Sequence, residues 1–186
     1  MSGDVLSRRR FLASALAGAP VLLSLPRGVA ALERAAGAGA VRQLSFVHLH
    51  TRERLDVEYW SAGAYVPDAL SAVDNVLRDW RTGRVHPIDP ALLDLLNELA
   101  AKTGTEVPFE VISGYRSPAT NEMLRSTSNG VAGSSLHMVG RAIDIRLADV
   151  SLKQLRDAAI GMRRGGVGYY AASNFVHVDT GRFRTW

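Results

Sequence analysis

Hydrophobic and polar residues follow two patterns along the chain, one typical of short strands and one typical of amphipathic helices. Six segments are rich in β-branched, aromatic or alternating apolar residues, which favours strands. They cover residues 44–50, 54–60, 109–113, 142–147, 168–170 and 175–179. We predict that the first two pair as a β-hairpin and that the last two form another, after a turn at a glycine pair.

Four helices are predicted from apolar residues at helical spacing and from their capping residues. Asp89 and Ser117 each precede a proline, a combination that opens a helix, and Ser151 with Gln154 forms a capping box. The predicted helices cover residues 67–80, 90–103, 118–125 and 152–163. Residues 126–135 are rich in serine and glycine and predict a loop.

Strands and helices are mixed along a chain of 186 residues, 47% of them hydrophobic, which indicates one α+β domain. We expect a mostly antiparallel sheet with helices packed around it, over residues 31–186. No tract holds the roughly 20 consecutive apolar residues that a membrane span requires.

The first 30 residues have the order of an export signal. Arg8 and Arg9 precede a short apolar stretch, and small residues follow it up to Ala31. The paired arginines resemble the twin-arginine signal. A basic amphipathic helix and an uncleaved anchor are the alternatives. We expect residues 1–30 to be a twin-arginine signal peptide, and the mature protein to be periplasmic with no stable membrane insertion after cleavage.

Composition narrows the chemistry. The chain has no cysteine, which excludes disulfides, thiolate metal sites and cysteine nucleophiles. Any zinc must therefore be bound by His, Asp or Glu. The net charge of +4 is diffuse apart from two arginine runs, and no basic helix carries interleaved aromatic residues. This argues against nucleic acid as a partner.

Two predicted strands each carry titratable residues on a polar face. In strand 142–147, Asp144 lies opposite the apolar side chains on either side of it, because successive side chains alternate between faces. A glycine before that strand allows a turn that brings His137 back beside Asp144. In the last strand, His177 and Asp179 share the polar face.

A set of two histidines and one aspartate suits zinc, and three protein ligands leave a fourth position for water, as in catalytic sites. The residues are His137, Asp144 and His177. Spacing alone leaves an alternative open, because a histidine in a strand is often only a hydrogen-bonded residue.

The segment 135–144 follows the pattern SxHxxGxAxD and resembles the LAS metallopeptidases, which group D-Ala-D-Ala carboxypeptidases and dipeptidases with murein endopeptidases. Residues 113–117 resemble the SGYR segment of that group. Residues 165–170, residues 175–181 and Trp186 resemble the MepK-type murein endopeptidases within the M15 peptidases. The resemblance covers nearly the whole chain and implies a LAS/hedgehog-like peptidase fold.

The resemblance implies that Zn²⁺ is the cofactor and that His137, Asp144 and His177 hold it. It also matches Arg116 to the family arginine that contacts the substrate or its developing oxyanion, a position where a fixed positive charge would assist catalysis. A surface or helix-capping arginine is the alternative for this residue.

The proton acceptor departs from the family pattern. Several relatives have a glutamate three residues before the last histidine ligand, and this chain has Asn174 there, on the opposite face of the predicted strand. Asp179 is the nearest titratable residue on the face of His177. We interpret it as the general base or as the residue that orients His177; capping of the turn at Thr180 is the alternative.

The sequence therefore predicts a monomeric zinc-dependent murein endopeptidase that cuts peptidoglycan peptide cross-links. A carboxypeptidase that releases a D-amino acid is the nearest alternative. A zinc-containing protein that binds peptidoglycan without cutting it is another, favoured by the missing glutamate. For His48 and His50, hairpin packing is favoured over a two-histidine site, and Tyr115 and Tyr169 either line the cleft or pack.

Overall fold

The computed structural model describes residues 41–127 and 132–186. The predicted signal peptide and residues 128–131 of the predicted loop lie outside the described residues. The strands are β1 (Arg42–His48), β2 (Arg54–Ser61), β3 (Ala64–Tyr65), β4 (Phe109–Ser113), β5 (Ala142–Arg146), β6 (Gly166–Tyr170), β7 (Phe175–Asp179) and β8 (Arg184–Thr185). The α-helices are α1 (Pro67–Val76), α2 (Pro90–Thr103), α3 (Pro118–Thr127) and α4 (Leu152–Met162).

All eight strands belong to one sheet, in the order β3-β2-β1-β4-β5-β7-β6-β8. Only the pairs β1–β4 and β6–β8 are parallel, so the sheet is mostly antiparallel, which confirms the predicted α+β class. Both predicted hairpins are present, as β1–β2 and β6–β7. Each helix in the described ranges is too short or too polar to cross a membrane.

The core lies between the sheet and its leucine-rich helix α2. This helix begins where the carboxylate of Asp89 accepts the N–H of Ala91, and it ends at Gly104 in the left-handed conformation. Its apolar face is fully buried, and each such leucine contributes about 1.5–3 kcal/mol through burial. The buried leucines are Leu92, Leu93, Leu95, Leu96 and Leu99.

The prediction that the first helix extends to Trp80 is wrong. Helix α1 ends at Val76, and the chain then turns around the buried carboxylate of Asp79. That carboxylate accepts the backbone N–H of Arg81 at 3.0 Å and that of Ser117 at 2.9 Å. The hydrogen bond from Ser117, 38 residues away in the chain, thus overrides the helical spacing of apolar residues that the sequence shows.

A tight turn fixes the position of His137. Residues Leu136–Val139 form a short 3-10 helix that ends at Gly140, with φ at +65°. A Cβ at Gly140 would lie 2.1 Å from the carbonyl oxygen of Pro87. The backbone N–H of Arg116 binds the carbonyl oxygen of His137 at 3.1 Å. Glycine is therefore required here both for its conformation and for a close backbone approach.

We expect Gly140→Ala to destabilise the metal-free protein more than Gly104→Ala, measured as the free energy of unfolding in urea. Both positions have positive φ, and a left-handed alanine costs roughly 1–2 kcal/mol. Only Gly140 adds a backbone collision, since a Cβ at Gly104 would have no atom within 4 Å. Equal stability of the two variants would contradict this account of the turn.

Candidate metal centre

Three side chains predicted as ligands converge from three different elements. His137 comes from the 3-10 turn, Asp144 from β5 and His177 from β7, where it pairs directly opposite Asp144. All three are buried, with at most 9% of any residue exposed. They line a cavity of about 600 Å³. The turn and the strand register thus bring together residues up to 40 positions apart.

The inward-facing atoms of these residues lie close together. Nε2 of His137 is 3.2 Å from Nδ1 of His177. The Oδ1 atom of Asp144 is 2.9 Å from that Nδ1 and 3.2 Å from Nε2 of His137. Each residue thus offers one ligand atom to a common point, as a metal centre requires.

The opposite nitrogen of each histidine is also bound. Nδ1 of His137 donates to the carbonyl oxygen of Gly114 at 2.7 Å, and Nε2 of His177 donates to Asp179 at 3.0 Å. A carbonyl oxygen and an ionised carboxylate can accept a hydrogen bond but cannot donate one, so the proton of each bond belongs to the histidine. In its neutral form, each imidazole therefore turns a lone pair inward, towards the carboxylate of Asp144. Three acceptors at one point repel each other unless a cation lies between them, so the residues present fit a metal ion.

The electrostatics of the centre favour a cation. Burial disfavours the charged form of His177, but hydrogen bonds to Asp144 and Asp179 outweigh it and raise its pKa to about 9. Burial lowers the pKa of His137. Burial would raise the pKa of Asp144, yet the two histidines hold it well below its usual range. Asp144 is therefore ionised at neutral pH and attracts a positive charge.

Arg116 lies beside the centre with hydrogen-bond donors to spare. One terminal nitrogen is 3.4 Å from Oδ2 of Asp144, and 11% of the side chain is exposed. Its Nε is buried without a partner among the described residues. A guanidinium that is mostly desolvated and only weakly paired can bind an anionic or carbonyl oxygen in the cavity.

Asp179 is fully buried and surrounded by donors. Five hydrogen bonds reach its two oxygens, from His177, the backbone of Gly166 and Gly181, and two nitrogens of Arg184. Burial opposes its charge, but these donors lower its pKa well below the usual range. Asp179 therefore contacts the imidazole of His177 and also caps the turn at Gly181, the two alternatives that the sequence left open.

The structure corrects the placement of Asn174. Extending the alternation of the predicted strand 175–179 by one residue put Asn174 on the face opposite His177. In the structure β7 begins at Phe175, and Asn174 is an exposed residue in the left-handed conformation that ends a second 3-10 turn. Its side chain therefore lies outside the alternation of β7. Among the described residues that line the cavity, only Asp144 and Asp179 are acidic.

One wall of the cavity is aromatic and contains Tyr170, Phe175 and Trp186. The sequence patterns did not identify Tyr170 or Phe175 as candidates. Tyr170 stacks on Phe175 with ring centroids 4.5 Å apart. The indole of Trp186 donates to the hydroxyl of Tyr170 at 2.8 Å, and its ring centroid lies 5.3 Å from that of His177. Alternation along β7 places Phe175 on the face of His177, a signal that could have identified it.

Three of the remaining aromatic candidates, Tyr115, Tyr169 and His48, pack instead of lining the cavity. Tyr115 stacks on His86, and Tyr169 packs against the core. His48 is buried, and its Nδ1 accepts the backbone N–H groups of His50 and Thr51, as hairpin packing predicts. His50 does line the cavity.

Comparison with known proteins gives one consistent family. The family model Peptidase_M15_2, described as "Peptidoglycan L,D-endopeptidase MepK", matches residues 36–186. An Escherichia coli protein with that name is 43% identical over 145 residues, which cover 78% of this chain and 80% of the relative. A Haemophilus influenzae protein named "Probable peptidoglycan L,D-endopeptidase MepK" is 45% identical over 146 residues, 78% of each chain. No solved structure matches.

We expect Asp179→Asn to lower zinc affinity about 10- to 100-fold, because an amide orients His177 less strongly than a carboxylate. Calorimetric titration of the metal-free protein measures this. Asp94→Asn is the matched control, since Asp94 is also ringed by donors, from Arg42, Tyr59 and Tyr65, but does not line the cavity. Unchanged zinc affinity in Asp179→Asn would remove this role.

Proposed function

The chain belongs to the peptidoglycan L,D-endopeptidase MepK family of M15 peptidases, and from this premise we propose that it hydrolyses amide bonds between L- and D-centres in peptidoglycan peptide cross-links. One observation of the molecule carries the proposal. His137, Asp144 and His177 turn three acceptor atoms to one point in a cavity, and their outer hydrogen bonds fix that arrangement.

Zn²⁺ is the proposed cofactor. Two imidazole nitrogens and one carboxylate oxygen are ligands that zinc accepts, and a set of three protein ligands leaves a coordination position open. Zinc held there would supply Lewis-acid polarisation of the scissile carbonyl and a water of lowered pKa. The protein's own contribution is to hold each imidazole, once neutral, in the tautomer whose inward nitrogen carries the lone pair.

Arg116 is the proposed partner of the substrate oxygen that gains negative charge. Its guanidinium is mostly buried beside Asp144, and its Nε has no partner among the described residues. Because these donors are already desolvated and held in place, they need no rearrangement as charge develops on the substrate.

Asp179 is the proposed positioning residue for His177. Its two oxygens already accept five hydrogen bonds, and its pKa is well below the usual range, so it is a poor proton acceptor at neutral pH. Holding the N–H of His177 is the role that fits this environment.

Export is proposed from the sequence alone. Residues 1–30 would serve as a twin-arginine signal and residues 31–186 as the peptidase domain, which would act in the periplasm as a monomer. N-terminal sequencing of protein recovered from the cell envelope tests this. Envelope protein that begins at residue 1 would contradict cleavage.

Digestion of purified sacculi with the zinc-loaded protein should remove cross-linked muropeptide dimers, as measured by chromatography of the products. A chelator should stop the reaction and added zinc should restore it, with circular dichroism unchanged throughout. Asp144→Asn, which removes a ligand charge, is the inactive control. Release of single amino acids instead of loss of dimers would indicate a carboxypeptidase.

One observation favours a second candidate function. The cavity lining in the described residues contains no glutamate, and both of its aspartates are engaged by histidines. A metal-containing protein that binds peptidoglycan without cutting it would need no proton acceptor. Zinc-dependent binding to sacculi with no change in the muropeptides would support this second function and contradict the first.

Arg116→Gln should lower kcat about 10²- to 10³-fold, the range seen when one donor to a developing oxyanion is lost. Arg116→Lys should recover part of the rate, because it keeps the charge without the planar fork. Arg146→Gln is the control, since Arg146 pairs with Glu110 and does not line the cavity. A kcat within a few-fold of the wild-type value in Arg116→Gln, with zinc content unchanged, would contradict the role.

A further inference from the structure

A second arginine lines the cavity without an anionic partner. Arg81 belongs to the lining, and in the part of the chain that the structure describes its guanidinium forms no ion pair. The third lining arginine, Arg184, differs, because Asp179 holds it at 2.7 Å. Arg81 thus contributes to the wall of the cavity a positive charge that no ion pair among the described residues neutralises.

A hydrogen bond to the buried carboxylate of Asp79 fixes the backbone of Arg81. One oxygen of Asp79 accepts the N–H of Arg81 at 3.0 Å. Its other oxygen accepts the N–H of Ser117 at 2.9 Å and the hydroxyl of Thr120 at 2.6 Å. Asp79 therefore connects the turn of Arg81 to the loop that carries Arg116, which fixes the backbones of the two arginines relative to each other.

The side chain of Arg81 is oriented by stacking. Its guanidinium carbon lies 4.1 Å from the centroid of the Trp80 ring. The ring of His50, which also lines the cavity, stacks on Trp80 at 4.1 Å. Stacking occupies the flat face of a guanidinium and leaves its in-plane N–H donors available, which suits bidentate binding of a carboxylate.

The positive charges of Arg81 and Arg116 favour an anion in the cavity. Arg81 is an exposed residue, and partial desolvation by its surroundings lowers its pKa. Asp79 opposes this, while the nearby positive charge of Arg116 lowers the pKa further. The two arginines therefore repel each other, and Asp79 is already engaged by four donors from its own surroundings. A carboxylate bound in the cavity would relieve this repulsion.

We propose that Arg81 is a specificity-determining residue that binds a free carboxylate of the substrate peptide, near the scissile amide. The inference rests on the proposed peptidase function and narrows its substrate to peptides that carry such a carboxylate. Arg116 serves the reacting carbonyl, and Arg81 holds the neighbouring acidic group. The chain therefore selects for negative charge beside the bond it cuts.

The test uses synthetic stem peptides with one L,D amide, in which each free carboxyl group is converted in turn to a carboxamide. At one of these positions, the wild-type protein should cut the peptide with the free carboxyl group better than the peptide with the carboxamide. The expected ratio of kcat/KM is roughly 10- to 100-fold, mainly through KM. Arg81→Gln should abolish that preference, and Arg81→Lys should keep part of it. If Arg81→Gln keeps the full preference at every carboxyl group, the inference is overturned.

Arg84→Gln is the matched control, because Arg84 is an exposed arginine in the same turn that does not line the cavity. It should keep the wild-type preference; a loss as large as in Arg81→Gln would mean that net charge, not contact, sets the preference, and would overturn the proposal.

Calorimetric binding of the same peptides separates this inference from the proposed function. If the wild-type protein cuts no peptide, the peptidase proposal fails, and binding alone decides the role of Arg81. Tighter binding of one acid than of its amide by the wild-type protein, but not by Arg81→Gln, supports the role. Equal binding of acid and amide by the wild-type protein overturns it.

Discussion

Two hydrogen bonds on the outer side of the histidines determine what the centre can do. The carbonyl oxygen of Gly114 and the carboxylate of Asp179 each accept an N–H, and each thereby turns the other ring nitrogen of its histidine inward. Both inward lone pairs face the carboxylate of Asp144, in a site that water barely reaches. The fold must therefore supply a cation or pay the cost of three unpaired acceptors. A proton on His177 serves this purpose in the metal-free protein, and the proposed zinc ion would serve it in the active one.

The rest of the fold keeps those two hydrogen bonds in register. Antiparallel pairing of β5 with β7 sets Asp144 opposite His177, and the turn at Gly140 returns His137 to the same place. The strand β4 pairs with β5 and leads directly to Gly114, so one continuous sheet carries the ligands and one of their supports. The leucine-rich helix α2 contributes its buried face to the core that packs the sheet against its helices. Stability and chemistry thus share the same strands.

Sequence patterns predicted those parts of the site that depend on local periodicity. Alternation within single strands placed Asp144, His177 and Asp179 on the face opposite the apolar side chains. In the structure these three residues line the cavity, and the alternating apolar residues of both strands belong to the core. Such alternation could not predict the contact of His137 with the carbonyl of Gly114, because no side-chain pattern marks a backbone acceptor 23 residues away. The turn at Asp79 was missed for the same reason, since its partner Ser117 is 38 positions distant. Long-range hydrogen bonds decide both features.

We expect one ion to bind between the inward atoms of these three residues. Diffraction from zinc-soaked crystals, with anomalous data at the zinc absorption edge, would locate it. One strong peak should lie at about 2.0–2.2 Å from Nε2 of His137, Nδ1 of His177 and a carboxylate oxygen of Asp144. A peak elsewhere, such as beside His48 and His50, or none at this centre, would contradict it.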